Sequence, residues 1–165
     1  MASCAKMKSI DRTQAGMDEN FMRRALVQAA AAFEADEVPV GAVIVYGGRI
    51  IAQAHNQVET LKDPTAHAEI LAITQAAAFL QSKWLEGATA YVTIEPCSMC
   101  AGALVLSRIA RVVFGANDLK TGAFGSKIDI NRLQLNHKIK ITRGVLKDDC
   151  SDVITQFFKH KRKKK

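Results

Sequence analysis

Apolar residues recur at helical spacing between Met17 and Asp36, at Phe21, Ala25, Leu26, Ala29, Ala32 and Phe33, which predicts a first helix with one buried face. The period then changes. "VPVGAVIVY" and "RIIAQAH" are two β-rich runs separated by Gly47-Gly48, and a double glycine there predicts a hairpin, because tight hairpin turns need positive φ. A polar loop, "NQVETLKD", leads to Pro64 and a second helix that runs to about Leu80. Asp63 or Thr65 can cap that helix, and Pro64 is tolerated in its first turn, where a missing N–H loses no partner. "ATAYVTI" reads as a buried strand stopped by Glu95-Pro96, "CSMCAGALVLSRI" as a third helix and "ARVVFGA" as another strand. "NDLKTGAFGSKIDINRLQLNH" has glycines and little periodicity, the mark of a long functional loop. "KIKITRGVL" and "KDDCSDVITQFFKHK" predict the last strand and the last helix. Strands and helices alternate after the initial hairpin, so the pattern predicts an α/β fold with one mixed sheet and helices on both faces.

At 165 residues the chain suits one domain with a full core and is short for two. No apolar run approaches the roughly 20 residues of a membrane-spanning helix, which argues against a membrane partner. The opening "MASCAKMKSIDRTQAGM" carries two lysines with no apolar core after them and does not read as a secretory signal; residues 1–16 are expected to be a flexible lead-in.

The net charge of +7 is concentrated at one end. The last seven residues, "KHKRKKK", hold six of the 23 Lys and Arg, and without them 17 basic residues face 16 acidic ones. Basicity is therefore a property of the tail, residues 159–165. Such a tail either aids solubility or adds salt-sensitive affinity for phosphates.

Chemistry enters with the cysteines and histidines. Cys97 and Cys100 form a C-x-x-C pair at a predicted helix start, while Cys4 and Cys150 have no close cysteine neighbour, a usage that suits a reducing cytoplasm. A helix N-terminus favours the thiolate, the form that binds metal. His67 also lies at a predicted helix start, and one imidazole with two thiolates suits tetrahedral zinc. Cys4, Cys150, His55, His137 and His160 are alternative fourth ligands, though none forms a spaced motif with the other three. A carboxylate at Glu69 would then have a water to work on. Helical geometry argues against this meeting, since residues two apart in a regular helix do not share a face. The combination H-x-E…P-C-x-x-C is nevertheless the signature of zinc nucleobase deaminases.

With those residues in place, the chain resembles the bacterial tRNA-specific adenosine deaminases of the cytidine deaminase-like fold. The likeness runs from about Asn20 to Phe158 and is carried by "EVPVGAVIV", "DPTAHAEI", "YVTIEPCSMCAGA", "SRIARVVFGANDLKTGAFGS" and the "NH" before "ITRGVL". The resemblance implies a three-layer α/β/α sandwich with a mixed five-stranded sheet, and residues 17–158 as a single deaminase domain. It implies one zinc ion per subunit, held by His67, Cys97 and Cys100 with water or hydroxide as fourth ligand. Glu69 would be the catalytic proton shuttle, taking a proton from that water and protonating N1; attack at C6 and loss of ammonia would leave inosine. The substrate would be the wobble adenosine of a tRNA anticodon stem-loop, flipped into a narrow pocket. Asn56 would hydrogen-bond the purine, Val40 would pack against it, and the backbone N–H groups of Ala68 and Cys97 would help orient it. Asp118 would face ribose hydroxyls and Lys120 phosphates. Phe157 and Phe158 would either stack on a base or close the core, and Lys159, Lys161 and Arg162 are candidate contacts to the RNA backbone. His55 stands where relatives carry other residues. The family also implies a cytoplasmic homodimer, for which "CAGALVL" offers either interface or core.

Two other readings share part of this pattern. A deaminase of free guanine or cytidine would carry every zinc residue but would not need the "NDLKTGAFGS" loop or the basic tail. A non-catalytic RNA-binding module with structural zinc would need a fourth protein ligand.

Overall fold

The computed structural model describes residues 2–164, with side chains from residue 14 onward. Helix α1 (Ala2–Glu34) starts well before the expected Met17 and leads into the hairpin β1 (Gly41–Tyr46) and β2 (Arg49–His55). Gly47 and Gly48 have φ of 56° and 75°, the pair of positive values that a two-residue hairpin turn of matching twist requires. A short helix α2 (Val58–Leu61) interrupts the polar loop, and α3 (Ala68–Leu80) follows. Then come β3 (Thr89–Ile94), α4 (Ser98–Leu106), β4 (Arg111–Ala116), a long loop with one 3-10 turn, β5 (Lys140–Arg143) and α5 (Lys147–Lys163). Residues 159–163 of the basic tail lie within α5.

The five strands form one mixed sheet in the order β2-β1-β3-β4-β5; β1 is antiparallel to both neighbours, and β3, β4 and β5 are parallel. Alternation along the strands sorts the core into two layers. Ala42, Ile44, Ala90, Val92, Val112 and Phe114 face α3 and α4, where Ala68, Ala72 and Ala76 make a small-residue stripe that seats α3 closely. Val43, Val45, Tyr91 and Val113 point the other way, onto Met22 and Ala25 of α1 and Cys150 of α5. The expected three-layer sandwich is therefore present. Gly41 is required where α1 crosses β1, since a Cβ there would overlap the backbone of Ala25 and Ala29.

The α1 face is also tied by a buried ion pair. Arg111 donates to both carboxylate oxygens of Asp18, at 2.8 and 2.6 Å, and the Tyr91 hydroxyl donates to Asp18 at 2.9 Å. The run "CAGALVL" is mostly core: Cys100, Ala101, Leu104 and Val105 are buried, while Leu106 is 77% exposed. Among the described residues, no helix is long and apolar enough to cross a membrane.

Candidate active site

One edge of the sheet gathers the chemistry. The chain enters β1, leaves β2, and leaves the parallel pair β3 and β4 on the same side, and the mouth beyond the carboxyl ends of parallel strands is where open α/β sheets place their ligands. A cavity of about 320 Å³ opens there. Its walls include Glu37, Val40, Asn56, Glu95 and Asp118, with His67, Glu69 and Cys97 also lining it.

The start of α3 differs from the sequence expectation, and the difference solves the geometry of His67 and Glu69. Asp63 does not cap the helix. Its carboxylate accepts the Thr65 N–H and hydroxyl at 2.8 and 2.7 Å, closing a separate turn. The N-cap is His67, with extended φ and ψ of −73° and 150° and no side-chain cap bond, and Glu69 is the second residue of the helix. The rule that residues two apart diverge holds only inside a helix. With His67 extended, imidazole and carboxylate meet on one cavity.

Cys97 repeats this arrangement. It is the extended N-cap of α4, so it lies just outside the helix, and Cys100 follows in the first turn. Both helices therefore aim their N-terminal N–H groups and positive dipole ends at the site, where thiolates and developing anions are favoured. Ala68, buried, is the first residue of α3.

The three candidate ligand atoms form a triangle. His67 Nδ1 lies 3.7 Å from Cys97 Sγ and 3.5 Å from Cys100 Sγ. Bond lengths of about 2.1 and 2.3 Å around a tetrahedral ion set nitrogen and sulfur about 3.6 Å apart, so the triangle fits one zinc-sized cation. No fourth His, Cys, Asp or Glu joins the group among the described residues. The alternative ligands lie elsewhere. Cys150 packs against Gly115 in the other layer, His137 Nε2 donates to the Ile109 carbonyl, and His160 stands beside Phe33; the side chain of Cys4 lies outside the described residues.

The electrostatics agree with a metal-ligand set. A hydrogen bond from the Cys100 thiol, with help from His67 and against the effect of burial, pulls the Cys97 thiol down to about 4. The Cys97 thiolate and burial push Cys100 up, and the Cys97 thiolate raises His67 against its desolvation. Burial drives Glu69 up to about 7, opposed by its own N–H and the His67 charge. Its Oε2 is buried without a hydrogen-bond partner. Such an orphan is costly unless a bound group or water meets it.

The other expected residues divide. Asn56 is buried at the end of β2, its N–H donating to the Val40 carbonyl and its amide Nδ2 to Glu37 at 3.4 Å. Val40 packs beside it on the cavity wall. Asp118 reaches the cavity rim, and its carboxylate accepts the N–H groups of Lys120 and Thr121 and the Thr121 hydroxyl. These bonds outweigh burial and hold its pKa below the usual carboxylate range. Lys120 itself is exposed and does not line the cavity, and His55 turns away toward Gln28.

Beside the cavity lies a wider groove of about 780 Å³, which shares Val38 and Glu59 with it and is flanked by Phe158, Lys161 and Arg162 of α5. The two phenylalanines part company: Phe157 is buried edge-on to Phe33, whereas Phe158 is 45% exposed. Lys161 pairs with Asp36 at 2.7 Å, and Lys159 is exposed.

Sequence reasoning missed Glu37 and Glu95. Glu37 accepts the Thr60 N–H at 2.6 Å, the Thr60 hydroxyl at 2.8 Å and the Glu59 N–H at 3.1 Å, besides the Asn56 amide. Glu95 accepts from Asp118, Phe124 and Ser126. The available signal was an acid one or two residues before a proline at the edge of an apolar run, in "EVP" and "IEP".

Comparison with known proteins agrees with this geometry. The family model of the MafB19-like deaminases matches residues 17–162, which sets the fold and its His-Cys-Cys group in the deaminase class. A tRNA-specific adenosine deaminase of Bacillus subtilis (strain 168) is 48% identical over 149 residues, covering 90% of this chain and 92% of that protein. A solved structure from studies of A-to-I editing by tRNA:A34 deaminases matches with a TM-score of 0.76 at 41% identity, over 81% of this chain and 98% of that one. A guanine deaminase from Nitrosomonas europaea has a TM-score of 0.74 but only 25% identity, over 84% and 83% of the two chains. The chain belongs to the family of tRNA-specific adenosine deaminases.

Proposed function

We propose that this protein hydrolyses the wobble adenosine of a tRNA anticodon to inosine, with zinc held by His67, Cys97 and Cys100. The observation that carries the reading is Glu69, whose buried, unpartnered oxygen belongs to a side chain lining the same cavity as His67 and Cys97. Zinc bound there would lower the pKa of a water toward about 7 and so supply a hydroxide-like nucleophile.

The chain's own groups account for the remaining work. A carboxyl pushed up to about 7 exchanges a proton readily near neutral pH, which lets Glu69 take one from the attacking water and deliver it to N1, and then pass the proton of the new C6 hydroxyl to the amino group that leaves as ammonia. Asn56, its amide held by Glu37, presents its carbonyl oxygen and second N–H to the purine edge. Val40 packs on the base. The N–H groups at Ala68 and Cys97 lie at two helix N-termini and favour negative charge developing on the substrate. The volume stands near the small end of the roughly 300–1,000 Å³ range of ligand pockets, which suits one flipped nucleoside.

Outside the cavity, Asp118 and Lys120 approach the anticodon ribose and phosphates. Phe158 offers a stacking face in the groove, and Lys159, Lys161 and Arg162 extend positive charge along α5. The protein acts in the cytoplasm as a homodimer; the exposed side chains of Leu106, Leu119 and Leu133 supply apolar surface for the pairing.

Incubation of zinc-loaded protein with an anticodon stem-loop carrying a wobble adenosine is expected to yield inosine, and chelation is expected to stop it until zinc is restored. Absence of conversion by zinc-loaded protein, or equal turnover of free guanine or cytidine, would remove this reading. Sedimentation in solution tests the dimer.

A further inference from the structure

Glu95 follows β3, precedes Pro96 and stands two residues before Cys97. It is almost wholly buried, and each of its side-chain hydrogen bonds comes from the loop after β4 rather than from the His-Cys-Cys group. Oε1 accepts the N–H groups of Phe124 at 2.9 Å and Ser126 at 3.1 Å, and Oε2 accepts the Asp118 N–H at 3.2 Å and the Ser126 hydroxyl. The backbone is joined at the same place. Ala123 N–H donates to the Pro96 carbonyl at 2.9 Å, and Cys97 bridges to Gly122. Gly122 lies so close that a Cβ there would stand 2.5 Å from Glu95 Oε2. One side chain thus connects the segment bearing Cys97 to the loop that brings Asp118 and Thr121 to the cavity wall.

We propose that Glu95 is a positioning residue that sets substrate affinity by holding the 117–126 loop, and with it Asp118 and Thr121, in register with Cys97. The requirement is for a carboxylate in particular. Each oxygen meets two donors, and an amide nitrogen in either place would turn its own hydrogens toward them. A glutamine is therefore close in shape and wrong in chemistry: it releases one end of the loop and leaves the rest of the fold in place. This inference takes its kinetic readout from the proposed deamination, while its structural readout stands apart from it.

The experiment compares wild type, Glu95→Gln and the milder Ser126→Ala as full-length, zinc-loaded chains. It measures KM and kcat on the anticodon stem-loop, zinc content, and amide hydrogen exchange. Loss of a charge-assisted clamp predicts that Glu95→Gln raises KM about tenfold or more, holds kcat within about threefold, and speeds exchange at Phe124 and Ser126 about tenfold. Zinc content stays at the wild-type level. Ser126→Ala moves KM and exchange in the same direction by about threefold, and it carries the test if Glu95→Gln does not fold. Unchanged KM and exchange would overturn the proposal. So would a raised KM with a still-protected loop, which would make Glu95 a direct substrate contact, or zinc loss with a protected loop, which would make it a support for the ligands. Should wild type leave the stem-loop unconverted, the deaminase reading falls, and exchange at Phe124 and Ser126 still decides whether Glu95 clamps the loop.

Discussion

The floor and the walls of the cavity hold buried glutamates in opposite situations. On the floor, Glu69 has an oxygen without a partner, and burial drives its pKa up to about 7. On one wall, Glu37 is also buried, but the donors at Thr60 and Glu59, helped by nearby His55, outweigh desolvation and hold its pKa below the usual carboxylate range. Glu95, on the other wall, has both oxygens satisfied by the 117–126 loop. Burial does not by itself assign a carboxylate its role. Donors do: a carboxylate whose oxygens both meet donors fastens backbone, while one with an oxygen left over can meet a bound group or water.

The largest test of this contrast is Glu69→Gln. Removing the proposed general acid–base group should lower stem-loop deamination on the order of 10³-fold, with zinc content unchanged. Because the substitution also replaces a buried carboxyl, one of whose oxygens lacks a partner, with a neutral amide, the zinc-free variant should melt no lower than zinc-free wild type. Turnover within tenfold of wild type would erase the distinction between floor and walls.

Asp18 shows a third way to keep a buried carboxylate, by pairing it with an arginine far from the site. Asp18→Ala leaves Arg111 uncompensated and should cost about 3–5 kcal/mol in denaturant unfolding, with stem-loop KM unchanged in the folded protein. Burial acts to raise the Asp18 pKa, but the bonds from Arg111, Tyr91 and Gln14 outweigh it and the net shift is downward. The stabilisation is therefore complete above the unfolded value of about 3.9 and is lost as pH falls through the lower folded value. Asp18→Asn should flatten that acid limb of the stability curve.

A smaller effect is expected at the wall. Glu37→Gln should raise stem-loop KM by about tenfold through a mis-set Asn56 amide and a loosened α2, and should change kcat less than Glu69→Gln does. An equal loss of kcat would place Glu37 with the floor. The smallest effects belong to α5. Lys159→Ala and Arg162→Ala should each reduce the salt dependence of stem-loop binding by close to one phosphate contact, roughly 0.7 in log–log slope for a single strand. Lys161, already paired with Asp36, should contribute less.

Much of the site was legible because its chemistry is written in short motifs. His67, Cys97 and Cys100 were identifiable as candidate metal ligands from residue type and spacing, and the fold brings the three together; the Gly47-Gly48 turn was identifiable from its need for positive φ. The meeting of His67 with Glu69 was not legible. It depends on where α3 begins, and the turn that Asp63 closes on Thr65 moves that start past Pro64 to Ala68. Element ends were the weaker part elsewhere too, with α1 starting early and β5 confined to Lys140–Arg143.

Glu37 and Glu95 were invisible for a different reason. Their donors lie 19 to 31 residues away, on segments that the sheet brings together only after β1 has paired between β2 and β3 and β4 has aligned beside β3. By itself the sequence determined the element types, the two faces of the sheet and the metal-ligand chemistry, since each depends on local spacing and periodicity. Tertiary structure alone decided which buried carboxylate keeps an oxygen without a partner and which are fastened to loops, because that depends on hydrogen-bond donors supplied by distant parts of the chain.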